Sequence, residues 1–85
     1  MPTVLFLHGW RFFFYANESN EPPHIHCKKG SQEAKFWLLQ DAFDIKQEFG
    51  FQLSAADERF LRQTIFSHFD YIVQEWEEFK RRANS

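Results

Sequence analysis

The sequence lacks several features that would mark a specialised class of protein. Cys27 is its only cysteine, so no disulfide can form within the chain, and a reducing cytoplasm is the simplest setting. No apolar run approaches the ~18 residues needed to cross a bilayer. Residues 1–4 lack the basic and long apolar segments of a secretory signal. We therefore expect a cytoplasmic protein without a membrane partner.

An excess of positive charge is also missing. The formal net charge is −2 and the pI is about 6.0. Strong nonspecific binding to nucleic acid depends on a basic surface that neutralises phosphates, so this balance argues against it. A local basic patch is still compatible with the total.

Aromatic side chains, by contrast, are abundant. They make up 20% of the 85 residues, and twelve of them are Phe. A chain of this length buries only a little over ~60% of its unfolded surface. Rings that bury roughly 150–250 Å² each help such a small domain to build a core. We expect one domain over residues 1–85, with some apolar surface left for a partner.

The residue pattern of the N-terminal half predicts four strands. They form two hairpins that turn at glycines, so a mainly antiparallel sheet is expected over residues 3–38. The segment 21–26 (EPPHIH) begins the second hairpin. Pro22 and Pro23 favour an extended backbone, so the chain reaches His24 already in a strand conformation.

Side chains two residues apart on a strand point to the same face, which divides the predicted sheet into two unlike faces. One face is a plain apolar core, formed by Phe12, Phe14, Ile25, Cys27, Ala34, Phe36 and Leu38. The other face is polar, aromatic and mostly basic, and consists of Arg11, Phe13, Tyr15, His24, His26, Lys28, Glu33, Lys35 and Trp37. We expect a functional site on this second face because it carries two histidines.

The C-terminal half predicts helices. Residues 40–49 are interpreted as a short helix, with Asp41 as its cap and Gly50 as its stop. Residues 55–82 contain no Gly or Pro and carry apolar residues at steps of three and four, which predicts a long helix packed on one face of the sheet. The expected fold class is therefore α+β.

The length of the second helix leaves two alternatives open. About 28 helical residues reach ~42 Å, whereas strands of six residues span only ~20 Å. Either the helix bends near Ser67 and His68, or its C-terminal half projects and binds a protein partner. The projecting residues would be Ile72, Val73, Trp76 and Phe79. The partner would be a second small protein or a second copy of this chain.

The histidine pair suits acid–base chemistry on a phosphodiester such as RNA. Imidazole titrates near neutrality, so it can serve as either base or acid. Cations on the same face can hold phosphate, and rings can stack a base. The candidate catalytic residues are Arg11, Tyr15, His24 and His26, and the candidate substrate-binding residues are Lys28, Lys35 and Trp37. Such metal-independent, ribonuclease-like chemistry requires no cofactor.

The same histidines can instead bind a metal ion, because their Cβ atoms lie roughly 6.5–7 Å apart on one side of a strand. A metal site needs at least a third ligand. Glu33 is the acid expected on the same face, whereas His8 and Glu21 would have to reach in from loops. Cys27 faces the other way. A purely structural alternative also stands, in which the histidines hydrogen-bond locally and the basic residues are solvated.

Five stretches of the chain together resemble a family of small bacterial proteins, catalogued as a domain of unknown function, number four thousand one hundred and sixty in its series. They are residues 1–4, 9–15 (GWRFFFY), 17–18, 21–26 (EPPHIH) and 34–38 (AKFWL). Cys27 stands where the family pattern has an aliphatic residue, and Ala16 where Ser is common. The resemblance implies a toxin–antitoxin-type gene pair with a second small protein as partner. It implies no catalytic residues.

Overall fold

The computed structural model describes residues 3–83 and shows an antiparallel five-stranded sheet with two α-helices. The strands are β1 (Thr3–Leu7), β2 (Trp10–Phe13), β3 (His24–Lys29), β4 (Gln32–Leu39) and β5 (Asp44–Phe51), and they lie side by side in chain order. The helices are α1 (Ala55–Ser67) and α2 (Phe69–Ala83), and short 3-10 turns cover Ala16–Glu18 and Gln40–Ala42. No helix in this part of the chain is long and apolar enough to span a membrane.

The α+β class and the two predicted hairpins are confirmed. In the first hairpin, Leu7 pairs with Trp10, and the two residues between them have positive φ angles, 51° at His8 and 82° at Gly9. A two-residue turn of this kind matches the right-handed twist of its strands. The second hairpin pairs β3 with β4 from His24 to Lys29.

The prediction of a helix over residues 40–49 is wrong. Helical geometry is limited to the 3-10 turn, and the left-handed Phe43 (φ 50°) ends it. The chain then forms β5, which pairs with β4 along its whole length. Ile45 is the one buried residue of this strand, so its apolar alternation is weak. Gly50 lies within the strand, where an added Cβ would come within 2.5 Å of the Gln47 side chain.

The predicted apolar face is confirmed as the core. All seven residues assigned to it belong to one buried cluster. The helices cover this face with Leu61, Ile65, Phe69, Ile72 and Trp76, all of them less than 5% exposed. Most of the stability of the helices is therefore expected to come from this shared contact and not from helix propensity.

The predicted long helix is two helices, which settles the choice between a bend and a projection. α1 ends at Ser67, and His68 leaves helical geometry with φ −119°. The bend brings α2 back onto the sheet, where Ile72 and Trp76 are 0% and 1% exposed. Val73 and Phe79 are partly buried against the same core. Ile72 and Trp76 are thus core residues, and the chain does not present them to a partner.

The opposite side of the sheet, which we call the open face, is only partly covered. The connection 14–23 contacts the histidines of the central strand β3. The two edge strands expose large rings, with Phe6 of β1 at 67% exposure and Phe49 and Phe51 of β5 at 42% and 56%. The open face therefore combines a covered polar cluster with accessible aromatic residues.

Cys27 should not react with thiol reagents while the protein is folded. Its side chain is completely buried, and burial raises the pKa of the thiol well above its usual range. Because the thiolate is the reactive form, labelling by a disulfide reagent at pH 8 should be on the order of 100-fold slower in native buffer than in urea. Equally fast labelling in both solvents would contradict the tight packing of β3.

Candidate metal centre

The connection between β2 and β3 positions an acidic residue above the histidine strand. A 3-10 turn places Glu18 here, with its N–H donating to the Tyr15 carbonyl at 3.1 Å. A second turn follows, in which the Glu21 N–H donates to the Glu18 carbonyl at 3.1 Å. Asn and Ser within this segment favour turns, and its two prolines return the chain to extended geometry.

Glu18, His24 and His26 converge on one point. Nε2 of each histidine lies 2.8 Å from the same carboxylate oxygen, Oε1 of Glu18. All three ligand atoms lie within 4.8 Å of one another. The imidazoles are 0% and 3% exposed, whereas the Glu18 side chain is 22% exposed. The cluster is therefore buried on its histidine side and reaches solvent through its carboxylate.

The hydrogen bond made by Nδ1 of His24 determines whether Nε2 of the same ring carries a proton. Nδ1 lies 2.8 Å from the carbonyl oxygen of Pro22, which can only accept, so Nδ1 carries a proton. In the neutral ring, Nε2 then carries a lone pair that faces Glu18 Oε1. A lone pair cannot stabilise a carboxylate at 2.8 Å unless a proton or another cation lies between them. The contact between His24 and Glu18 thus requires a proton or a metal cation between the two atoms.

His26 has an unpartnered atom. Its Nδ1 is buried without a hydrogen-bond partner among the described residues. The ring stacks on Phe13 at 5.6 Å and meets the edge of Tyr15 at 4.5 Å between centroids. A buried polar atom without a partner costs about 1–3 kcal/mol, so an apolar side chain would serve packing alone better. The imidazole is therefore explained by the contact of its Nε2 with Glu18 Oε1 and not by packing alone.

The electrostatics of the cluster favour the ligand forms of two residues. Burial lowers the pKa of His26, although the hydrogen bond to Glu18 opposes this effect. Burial raises the pKa of Glu18, but its interactions with His26 and His24 together outweigh burial and leave the pKa below its usual value. At neutral pH, His26 is therefore neutral and Glu18 is ionised, which are the states that bind metal.

The three residues fit a transition-metal ion in donor type and number. Imidazole nitrogens and a carboxylate oxygen bind zinc at about 2.0–2.2 Å, which implies ligand separations of about 3.3 Å in a tetrahedron. The 2.8 Å contacts are shorter, so the partly exposed Glu18 would have to move outwards by about half an ångström. The Pro22 carbonyl bound to His24 Nδ1 is the kind of outer partner that orients a metal-binding imidazole.

A comparison with known families agrees with the resemblance carried by the sequence. A family model described as "Domain of unknown function (DUF4160)" matches residues 9–77, which is more than half of the chain. The chain belongs to this family. The matched part of the DUF4160 domain includes Glu18, His24 and His26. No curated protein and no solved structure matches the chain.

Two of the predicted catalytic residues lie beside the cluster of the DUF4160 domain. The Arg11 guanidinium lies 4.6 Å from the centroid of the Phe13 ring, and its Nε donates to Thr3 Oγ1 at 2.9 Å. Tyr15 packs against His26, and its hydroxyl is 3.4 Å from Glu33 Oε2. Burial and the nearby Glu33 raise the pKa of Tyr15. Neither residue reaches Glu18 in the described hydrogen bonds.

The three predicted substrate-binding residues are placed differently. Lys35 is engaged internally, since its Nζ lies 3.1 Å from Glu21 Oε1 and 4.3 Å from the Trp37 ring centroid. Trp37 also meets the edge of His24, with centroids 5.4 Å apart. Lys28, by contrast, is exposed. Of these three residues, Lys28 is the one whose charge is accessible to a ligand.

The residues expected as a third metal ligand are not the ones found. Glu33 lies opposite Lys28 and faces Tyr15, Glu21 pairs with Lys35, and the His8 ring packs on Phe60. Glu18 takes the position instead, and the pattern of the strands could not identify it because loops have no periodicity. The available indication was an acid in the polar segment that precedes the histidines.

Proposed function

We propose that this DUF4160 domain binds one transition-metal ion through Glu18, His24 and His26. The contact of both Nε2 atoms with one carboxylate oxygen carries this proposal. Because His24 Nδ1 already donates to a carbonyl, the cluster needs a central cation, and a metal ion supplies it without placing an extra proton on a buried ring. The one polar contact of the buried His26 ring is its Nε2 with Glu18, so the reason for an imidazole at this position lies at the same central point.

The donor set indicates which ions to expect. Two imidazoles and a carboxylate suit zinc and the neighbouring divalent transition metals, whereas magnesium and calcium prefer oxygen ligands. Cys27 is buried within the core cluster and adds no thiolate. Three protein ligands leave a position for water or substrate, as in catalytic zinc sites, whereas structural sites use four. We therefore propose an open centre that can polarise or activate a bound molecule.

Metal stoichiometry tests this proposal directly. Apo-protein titrated with zinc, cobalt or nickel should bind one ion per chain, as measured by calorimetry and elemental analysis. Glu18→Gln should weaken binding by on the order of 100-fold, because an amide oxygen is a poor ligand for these ions. Glu33→Gln is the matched control and should bind as tightly as the wild type. Equal losses in the two variants, or no binding by the wild type, would refute the site.

A second candidate function is metal-independent acid–base chemistry on RNA, in a toxin–antitoxin-type component that binds a protein partner. Tyr15 beside His26 supports it, as do Arg11 over the neighbouring Phe13 ring and the exposed Lys28. Purified domain without a partner should then cleave RNA in the presence of a chelator, and His26→Ala should abolish the cleavage. Cleavage that stops with the chelator and returns with zinc would favour the metal centre.

A further inference from the structure

We propose that the open face beside the metal centre binds a phosphate ester that carries an aromatic base. In this proposal Arg11 and Lys28 hold the phosphate, and Phe6 stacks the base. It rests on the proposed function in one respect, since it identifies the class of ligand that the metal ion would meet. The ligand class is a nucleotide, either free or as one unit of a single-stranded RNA.

The proposed subsite lies on one row across the sheet. Phe6 is paired with Arg11, Arg11 with Lys28, and Lys28 with Glu33. Paired residues of antiparallel strands point to the same face, so Arg11 and Lys28 are directly opposed like charges. Such a pair is destabilising unless a negative charge lies between them. A bound phosphate dianion or diester provides that charge.

The two cations have no carboxylate partner within the described part of the chain. The ion pairs there involve His24, His26, Lys35, Arg81 and Arg82. Glu33, the acid on the row, is 3.4 Å from the Tyr15 hydroxyl and forms no ion pair with Lys28. The Nε of Arg11 is occupied by Thr3, which holds the side chain over Phe13. Its planar guanidinium is thus fixed in place, as recognition of phosphate favours.

Phe6 supplies the apolar half of the subsite. Its ring is 67% exposed and belongs to the residue paired with Arg11. Exposed rings beside cations are the usual platform for bases of single strands, because every base has a face that can stack. The exposed ring therefore distinguishes a nucleotide from a simple anion. The net charge of −2 argues against binding of extended duplexes, so the expected ligand is short.

The subsite and the metal centre are neighbours. On the same two strands, Phe13 and His26 form the next pair that points to the same face as Arg11 and Lys28. Two residues along a strand span about 7 Å. A phosphate ester held by the cations can therefore extend one group towards the ion bound by His26. This adjacency is what makes a phosphate ester the expected substrate class for the open coordination position.

Nucleotide titrations with matched variants test the proposal. The probes are AMP, adenosine without phosphate, and a six-nucleotide single-stranded RNA, measured by calorimetry or fluorescence anisotropy. Lys28→Gln and Phe6→Ser should each weaken AMP binding by on the order of 10-fold. Lys46→Gln and Phe51→Ser remove the same groups at exposed positions of β5 and should change binding by less than about twofold. Phe51 lies at the other end of the row, where its partner is the acidic Glu33 and not a cation, so it tests whether the ring beside Arg11 stacks the base. Lys28 and Phe6 are exposed, so the fold should tolerate both changes.

The Glu18→Gln variant separates this proposal from the metal proposal. It should lose the metal ion and still bind AMP, because Arg11 and Lys28 are unchanged. RNA that binds more tightly than AMP assigns the subsite to a strand, and the reverse order assigns it to a free nucleotide. The subsite is refuted if wild-type protein binds neither probe, if adenosine binds as tightly as AMP, or if the β5 variants lose as much affinity as Lys28→Gln.

Discussion

Replacing Trp76 with alanine should lower the free energy of unfolding by about 4 kcal/mol, which is much of the stability of an 85-residue domain. The indole is 1% exposed and contacts Phe14, Phe79 and His24, with ring centroids 5.1, 5.4 and 5.0 Å away. Its removal would leave a cavity under the strand that carries the histidines. The measurement is urea denaturation monitored by circular dichroism.

Tyr71→Ala is the control on the same helix. Tyr71 is 43% exposed, so its loss should cost less than about 1 kcal/mol. The projecting alternative of the sequence analysis predicts a different outcome for Trp76→Ala, namely a folded domain that loses a partner. A Trp76→Ala variant that keeps wild-type stability would therefore support the projecting helix and contradict the packing of α2. The pair of variants decides between a core residue and an interface residue.

The strands of the two hairpins were predictable because strong local patterns agree with their long-range pairing. Positions that alternate between apolar and polar residues fall on opposite faces, and the core face followed directly. The same rule places Phe13, His24, His26 and Lys35 on the other face but does not predict that they are buried. Their burial comes from the connection 14–23, and the position of a loop depends on its tertiary contacts.

The fifth strand was missed because its local pattern is ambiguous. Asp41 and Gly50 are spaced like the cap and stop of a short helix, and only Ile45 of β5 is buried. An edge strand obtains its hydrogen bonds from one neighbour, here β4, and this pairing outweighs the weak helical preference. The sequence predicts the bend at His68 as one of two alternatives, because an unbroken helix would be longer than the strands that it covers. Which alternative the chain adopts depends on how well α2 packs against the core, and the local sequence does not contain that information.

Only the strand residues of the candidate centre could be predicted from the sequence, because strand periodicity does not extend to the connection that carries the acid. The spacing of the two histidines predicts that they lie on one side of a strand, and in the structure both contact the carboxylate of Glu18. The acid itself comes from a 3-10 turn in a polar connection. Glu33 was the reasonable expectation from strand alternation, but it lies one row away and faces Tyr15.

Zinc at about 100 times its dissociation constant should stabilise the wild-type domain by about 2.7 kcal/mol, because the ion binds the folded chain and the unfolded chain has no assembled site. For a domain of this size, that corresponds to a rise in melting temperature of roughly 11–22 °C. Thermal unfolding of apo-protein, with and without zinc, measures the effect. Magnesium at the same concentration should produce no comparable shift, since its preferred ligands are oxygens.

Glu18→Gln is the sharpest control because it separates the metal from the hydrogen bonds. The amide has two N–H groups, which can donate to the Nε2 lone pairs of His24 and His26 in place of the present contacts. The metal-free variant should therefore unfold within about 1 kcal/mol of the wild type. It should nevertheless gain no stability from zinc. If zinc stabilised the variant as strongly as the wild type, the ion would bind elsewhere. The cluster would then have only a structural role, holding the connection 14–23 against β3 by hydrogen bonds.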